Sequence, residues 1–169
     1  MNKNAKMNVF ECKSVDICQK KIYNYYVYIL REVLHMNRKI ARENAFILLF
    51  EGASKKDETA EEIFEKATSV RLLETDEYVK TVFFGYYENA RAIEECIEKS
   101  LIGWARDRIS LSSIAILRLA TYELMFMDDI PAKVSINEGI ELAKRYDDDK
   151  AYSFVNGVLN RVAEELGRK

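Results

Sequence analysis

The chain has 169 residues, of which 49% are hydrophobic and 32% are charged, and its formal net charge is −2. This length allows one domain with a sizeable core, and the composition argues against a disordered or membrane-embedded chain. The net charge excludes global basicity, so any nucleic-acid binding must use a local basic patch. One Pro and six Gly leave little punctuation for many short strands, which predicts an all-α fold.

Residues that carry catalytic or metal chemistry are scarce. The three cysteines form no CxxC pair, and His35 is the single histidine, so neither a disulfide framework nor a zinc site is expected. The sequence also lacks a phosphate-binding glycine loop, a GxSxG motif and an HExxH motif. The longest apolar run near the start, residues 22–30, falls short of the roughly 20 residues that span a bilayer. We therefore expect a cytoplasmic, non-enzymatic protein without metal, cofactor or membrane partner.

Residues 1–35 differ in composition from the rest of the chain, with six basic and three acidic side chains. The codons for residues 31–33 (Arg-Glu-Val) can contain a Shine–Dalgarno-like sequence a few nucleotides before the codon of Met36. One hypothesis is that Met36 is the natural start and that residues 1–35 are a translated leader. The alternative is a genuine N-terminal extension. Either way, residues 36–169 are predicted to form the single folded domain.

In the first half of that domain, hydrophobic spacing predicts four helices. The first covers residues 38–52, with Gly52 suited to a helix C-terminus. The second covers residues 57–68 and is acidic at its start, as the helix dipole favours. Residues 75–77 (Thr-Asp-Glu) are a typical helix start, and Asn89 separates the third helix from the fourth.

The second half of the domain predicts three more helices. Ser110 can cap the first of them, and Pro131 suits the first turn of the next. The acidic loop of residues 147–149 precedes the last helix, which contains Asn156-Gly157. This dipeptide is common in hairpin turns, but no alternating strands flank it here. We instead expect Gly157 to permit a close approach between two helices.

Two groups of basic residues stand out. The first, at the start of the first helix, is Arg38, Lys39 and Arg42, and the second, around the acidic loop, is Lys144, Arg145 and Lys150. Positive charge at a helix N-terminus opposes the helix dipole, so the first group can serve a polyanion such as RNA. The other interpretation is an ordinary solvated terminus. Convergence of the two groups in the fold would favour RNA binding, because binding needs a dense patch of charge.

Four segments carry a family resemblance. They are ARENAFILLFE (residues 41–51), ILRLATYEL (116–124), IPAKVSINEGIELAKRY (130–146) and FVNGVLNRV (154–162). In this order and spacing they resemble the NusB family of bacterial transcription antitermination factors, over about residues 36–166. The resemblance implies an all-α domain of two small helical bundles packed side by side.

The resemblance also implies a function. NusB proteins bind the boxA sequence of ribosomal RNA leaders together with the ribosomal protein NusE, and help RNA polymerase to read through terminators. A basic N-terminal stretch contacts RNA in the family, which implies RNA contacts here by Arg38, Lys39 and Arg42. Ile40 occupies a position that is often basic, so the patch is thinner. Lys144 is expected to add to the same surface.

The remaining polar residues of the motifs are expected to be structural. These residues are Arg118, Glu123, Asn137, Glu138, Asn156 and Gly157. Asn137, Glu138 and Asn156 are expected to tie helix ends and loops together. Arg118 is expected to be a partly buried base, with Glu123 as a possible partner.

Two alternatives belong to other classes. The same fold occurs as the N-terminal domain of certain ribosomal RNA cytosine methyltransferases, which would make this chain an orphan RNA-targeting module. A self-associating helical protein with incidental basic residues is the other alternative. A homodimer would not by itself exclude the antitermination role.

Overall fold

A computed structural model of the protein describes residues 37–55, 57–104 and 106–168, so the hypotheses on residues 1–35 lie outside the described residues. The described part contains seven α-helices joined by short connections, and no strand. They are α1 (Arg38–Ser54), α2 (Ala60–Glu65), α3 (Glu77–Glu88), α4 (Ala90–Ser100), α5 (Leu111–Phe126), α6 (Ala132–Tyr146) and α7 (Ala151–Glu165). A π-helical turn at Lys66–Val70 continues α2, and a 3₁₀ turn at Arg106–Arg108 precedes α5.

Several helix boundaries follow directly from local side-chain chemistry. Asp76 begins α3, where its carboxylate accepts a hydrogen bond from the backbone N–H of Val79 at 2.9 Å. Ser110 begins α5 in the same way, because its Oγ accepts from the N–H of Ser113 at 3.0 Å. Each cap satisfies a backbone donor that the first helical turn leaves unpaired. The predicted starts at Asp76 and Ser110 and the predicted break at Asn89 are confirmed.

The helices form two small bundles that share one central helix. Helices α1 to α3 form the first bundle and α4 to α7 the second, and α5 packs against α1, α3, α4, α6 and α7. Most of α5 is buried, including its polar side chains Thr121 and Glu123. A helix that is apolar nearly all round belongs in the interior. The predicted all-α architecture of two packed bundles is therefore confirmed.

Two predictions about glycines are wrong in their placement. The helix α1 continues to Ser54, and Gly52 lies within its last turn, where a Cβ would collide with the Tyr87 hydroxyl. Gly157 is exposed, and a Cβ there would meet nothing within 4 Å. The close helix approach occurs instead at Gly139 of α6, where a Cβ would lie 2.9 Å from Cδ1 of Leu159. A Cβ at this position would force the buried Leu159 side chain to shift.

Candidate RNA-binding surface

A groove between α1 and α6 brings together basic residues from the two ends of the domain. Its lining residues are Lys39, Arg42, Glu43, Glu138, Glu141, Leu142, Lys144 and Arg145, around a volume of about 390 Å³. We call this set the basic groove. Lys39 comes from the first group of bases and Lys144 and Arg145 from the second, so the two groups converge in the fold. Lys150 lies outside the groove.

Side-chain contacts hold the two walls of the groove together. Arg145 of α6 donates from Nη1 to Glu43 of α1 at 2.7 Å, and the Tyr146 hydroxyl donates to the same carboxylate. The Phe46 ring packs against the Tyr146 ring with centroids 4.9 Å apart. The two hydrogen bonds join positions that are 102 and 103 residues apart in the sequence.

Acidic residues balance most of the positive charge in the groove. Its lining contains four bases and three acids, a net charge of +1. The ammonium group of Lys144 donates to Glu141 at 2.7 Å, and both side chains are about half exposed. Through this hydrogen bond and its charge, Lys144 holds the pKa of Glu141 below its ordinary value, and Lys39 adds to the effect. Exposed pairs of this kind are weak because water screens them, so a phosphate group can compete for the bases.

The basic side chains in the first turn of α1, Arg38 and Lys39, lie on different sides of the helix start. The backbone N–H of Lys39 donates to the Asn37 side chain at 3.0 Å, which caps the helix. The Lys39 side chain lines the basic groove, whereas the Arg38 guanidinium lies 4.9 Å from the centre of the Tyr78 ring. Both side chains are exposed, as is that of Ile40. Arg38 therefore flanks the groove rather than lining it.

Arg42 occupies a different environment from the other bases. It is only 5% exposed, and its Nε donates to Oε1 of Glu123 at 2.8 Å. The Tyr78 hydroxyl donates to the same oxygen at 2.5 Å. A buried guanidinium that is already paired has little surface to offer a phosphate. This burial does not fit the direct RNA contact predicted for Arg42.

The predicted pairing of Arg118 with Glu123 is wrong. Arg118 donates from Nε to Glu94 of α4 at 2.7 Å, and Glu94 also accepts hydrogen bonds from Tyr86 and Arg106. Burial opposes ionisation of Glu94, but Arg118 and these hydrogen bonds outweigh it and leave the pKa of Glu94 below its ordinary value. Glu94 thus ties α3, α4, the 3₁₀ turn and α5 together.

The asparagines of the C-terminal motifs do not tie helix ends to loops, contrary to the prediction. Asn137 and Asn156 are exposed within α6 and α7 and line one shallow groove between these helices. Asn156 accepts a hydrogen bond through Oδ1 from Asn160, one turn further along the same helix, at 2.7 Å. Glu138 lies 3.8 Å from Nη1 of Arg42 and is partly exposed at the groove.

Exposed aromatic rings next to the basic groove were missed by the sequence analysis. The ammonium group of Lys144 lies 5.8 Å from the centre of the Tyr152 ring. Tyr152 in turn lines a neighbouring hollow of about 490 Å³, in which the Trp104 and Phe154 rings lie 4.7 Å apart. Rings beside bases are typical of surfaces that bind single-stranded nucleic acid. No spacing in the sequence pairs Trp104 with Phe154, because they lie in different elements.

The described residues contain neither a membrane-spanning helix nor a cluster of metal ligands. None of the helices described is long and apolar enough to cross a membrane. In the same residues, no group of three or more His, Cys, Asp or Glu side chains could hold a metal ion.

Comparisons with known proteins agree with the all-α fold. The sequence model of the NusB family matches residues 39–164. The transcription antitermination protein NusB of Natranaerobius thermophilus is 40% identical over 137 residues, which are 79% of this chain and 99% of that protein. NusB of Bacillus licheniformis is 41% identical over 131 residues, 78% of this chain and 99% of that protein.

Solved structures give the same result. The structure of T. maritima NusB is 37% identical with a TM-score of 0.69, over 78% of this chain and 94% of that one. A chain in a structure of the antitermination factors NusB and NusE with double-stranded RNA is 28% identical with a TM-score of 0.67, over 76% of this chain and 96% of that one. Sequence and fold together establish that the chain belongs to the NusB family.

Proposed function

We propose that the protein is a transcription antitermination factor that binds boxA RNA of ribosomal RNA leaders together with the ribosomal protein NusE. In this role it is a non-enzymatic RNA-binding protein that promotes read-through by RNA polymerase in the cytoplasm. The two NusB antitermination proteins compared above are matched over 99% of their length, which favours the antitermination role over an orphan module of a methyltransferase. A similar solved structure that combines NusB, NusE and RNA supports the same partners.

The observation that carries the proposal is the convergence of Lys39 with Lys144 and Arg145 in the basic groove. Phosphate contacts supply most of the affinity for a nucleic-acid backbone, and they need several bases within reach of one strand. Lys39 and Lys144 are the two predicted RNA contacts that line the groove and keep exposed side chains. Arg145 joins them as a residue that the sequence analysis did not single out as an RNA contact.

Binding in this groove is an exchange of partners. An incoming phosphate takes Lys144 from Glu141 and Arg145 from Glu43, and both exposed ion pairs are weak enough to yield. The groove adds only a small net charge, so it attracts RNA without selecting a sequence. A second protein that extends the surface can raise affinity and selectivity together. We propose that the aromatic rings beyond Tyr152 belong to the same extended surface.

The test measures the affinity for boxA RNA at several salt concentrations, with and without NusE. Lys39→Gln and Lys144→Gln should each weaken binding and lower the slope of log K against log salt by about 0.7, the value for one phosphate contact to a single strand. Lys99→Gln is the matched control, because Lys99 is an exposed lysine of α4 outside the groove. It should leave both quantities unchanged.

Each alternative has its own outcome. Equal slopes for all three variants would show that the groove is not the RNA site. Sequence-blind binding that NusE does not enhance would favour the orphan RNA-targeting module. Absence of RNA binding combined with a dimer in analytical ultracentrifugation would favour the self-associating protein.

A further inference from the structure

Arg42 lies where four helices meet. It belongs to α1, its partner Glu123 to α5, the neighbouring Tyr78 to α3, and Glu138 to α6. Its Nε donates to buried Glu123 at 2.8 Å, while Nη1 faces Glu138 of the groove wall at 3.8 Å. The guanidinium also lies 5.9 Å from the centre of the Tyr78 ring. The Arg42 guanidinium therefore contacts a buried carboxylate through Nε and faces the groove through Nη1.

Burial and neighbouring groups act together on two members of this cluster. Burial by itself would lower the pKa of Arg42, but the charge and hydrogen bond of Glu123, together with Tyr78 and Glu138, outweigh burial and raise it. Burial and the charge of Glu123 also raise the pKa of Tyr78, so its hydroxyl stays protonated and donates. Glu123 is 0% exposed, and its second carboxylate oxygen has no hydrogen-bond partner within the described residues. Arg42 and Tyr78 are thus its two polar anchors there.

Side-chain contacts between α1 and α6 lie next to this cluster. Glu43, the residue after Arg42, accepts from Arg145 and Tyr146 near the end of α6. Arg42 faces Glu138 two turns earlier on α6. Lys39 lies one turn before Arg42 and Glu43 on α1. Its position relative to Lys144 therefore depends on how Arg42 and Glu43 are held against α6.

We propose that Arg42 is a positioning residue of the RNA-binding groove, acting through Glu123 and Glu138 to set α1 against α6. The inference rests on the proposed function of the groove. Arginine suits this role because its guanidinium is planar and presents donors in fixed directions, which lysine cannot reproduce. Arg42 thereby directs Lys39 towards Lys144 and Arg145 without contacting RNA itself.

The experiment removes the pair while keeping the fold. The variant Arg42→Met/Glu123→Leu replaces both charges with apolar side chains, a change that buried ion pairs often tolerate without loss of stability. A thermal unfolding curve checks that it is folded. We expect binding to boxA RNA with NusE to weaken by about tenfold, the lower end of the effect of losing an orienting partner at preorganised metal sites. The slope of log K against log salt should stay at the parent value, because no phosphate contact is lost.

Three results would overturn the proposal. A folded double variant that binds like the parent would show that the pair only stabilises the fold. A slope that falls as in Lys39→Gln would show that Arg42 contacts a phosphate. If the double variant does not fold, Arg42→Lys, which keeps the charge but loses the planar fork, must weaken binding at constant slope. Parent-like binding by Arg42→Lys would then refute the positioning role.

The two proposals fail in different ways. If Lys39→Gln does not lower the salt slope, the groove is not the RNA site and the proposed function of this surface fails. If Lys39→Gln lowers the slope while folded variants of Arg42 bind normally, the groove stands and only the positioning role fails.

Discussion

The buried cluster around Arg42 and the exposed walls of the basic groove each contain an arginine–glutamate ion pair, but the two pairs have different roles. Arg42 and Glu123 are 2.8 Å apart, and Arg145 and Glu43 are 2.7 Å apart. The first pair has side-chain exposures of 6% and 0%, whereas the second has 59% and 21%. Distance therefore says little about what a pair does. Burial decides whether it holds the fold together or remains available to a ligand.

The largest expected effect tests the buried side of this comparison. Glu123→Gln leaves Arg42 buried beside a neutral partner and should lower the free energy of unfolding by about 3–5 kcal/mol. The matched change Glu43→Gln affects a more exposed pair and should cost about 1 kcal/mol or less. Denaturant unfolding of both variants measures the difference. Equal losses of unfolding free energy in the two variants would contradict the proposed difference between buried and exposed ion pairs.

The glycines offer the same contrast between buried and exposed positions. Gly139→Ala places a Cβ 2.9 Å from Leu159 and should destabilise the protein by about 1–3 kcal/mol. Gly157→Ala meets open space and should stabilise it by about 0.4–1 kcal/mol, because the unfolded chain loses freedom. Thermal unfolding measures both. Destabilisation by Gly157→Ala would show that this position packs against another surface.

Glu94 is intermediate, with a side chain that is 20% exposed, and its ion pair with Arg118 should respond to pH. Its pKa is lowered in the folded state, so its stabilising effect is present above the unfolded value of about 4.3 and is lost as pH falls through the folded value. Glu94→Gln should cost about 1–3 kcal/mol at pH 7 and less at pH 3. Unfolding curves across pH 3–7 test this, and a cost independent of pH would contradict it.

The smallest expected effect concerns the exposed side. If RNA takes Lys144 from Glu141 as proposed, Glu141→Gln removes the competing carboxylate and should increase RNA affinity by up to about fivefold. Glu61→Gln, an exposed acid on α2, serves as the control for net charge. If both variants gain equally, the effect comes from overall charge rather than from the groove.

Sequence reasoning succeeded where the cause is local. The caps at Asp76 and Ser110 act on backbone donors within three residues, so a short segment contains all the information. It failed where the cause is distant. The partner of Arg118 is 24 positions away, and the space that Gly139 leaves is filled from α7. Gly157 illustrates the same limit, because nothing in its own helix indicates what faces it.

The sequence by itself determined the helical fold, its family and the residue types available to meet RNA. Only the tertiary structure decided which bases are free to do so. Arg38, Lys39 and Arg42 lie within little more than one turn of α1, yet Lys39 is exposed in the groove while Arg42 is buried. The reason is that Glu123 lies 81 positions further along the chain, and only folding brings its carboxylate to one of these bases and away from the others.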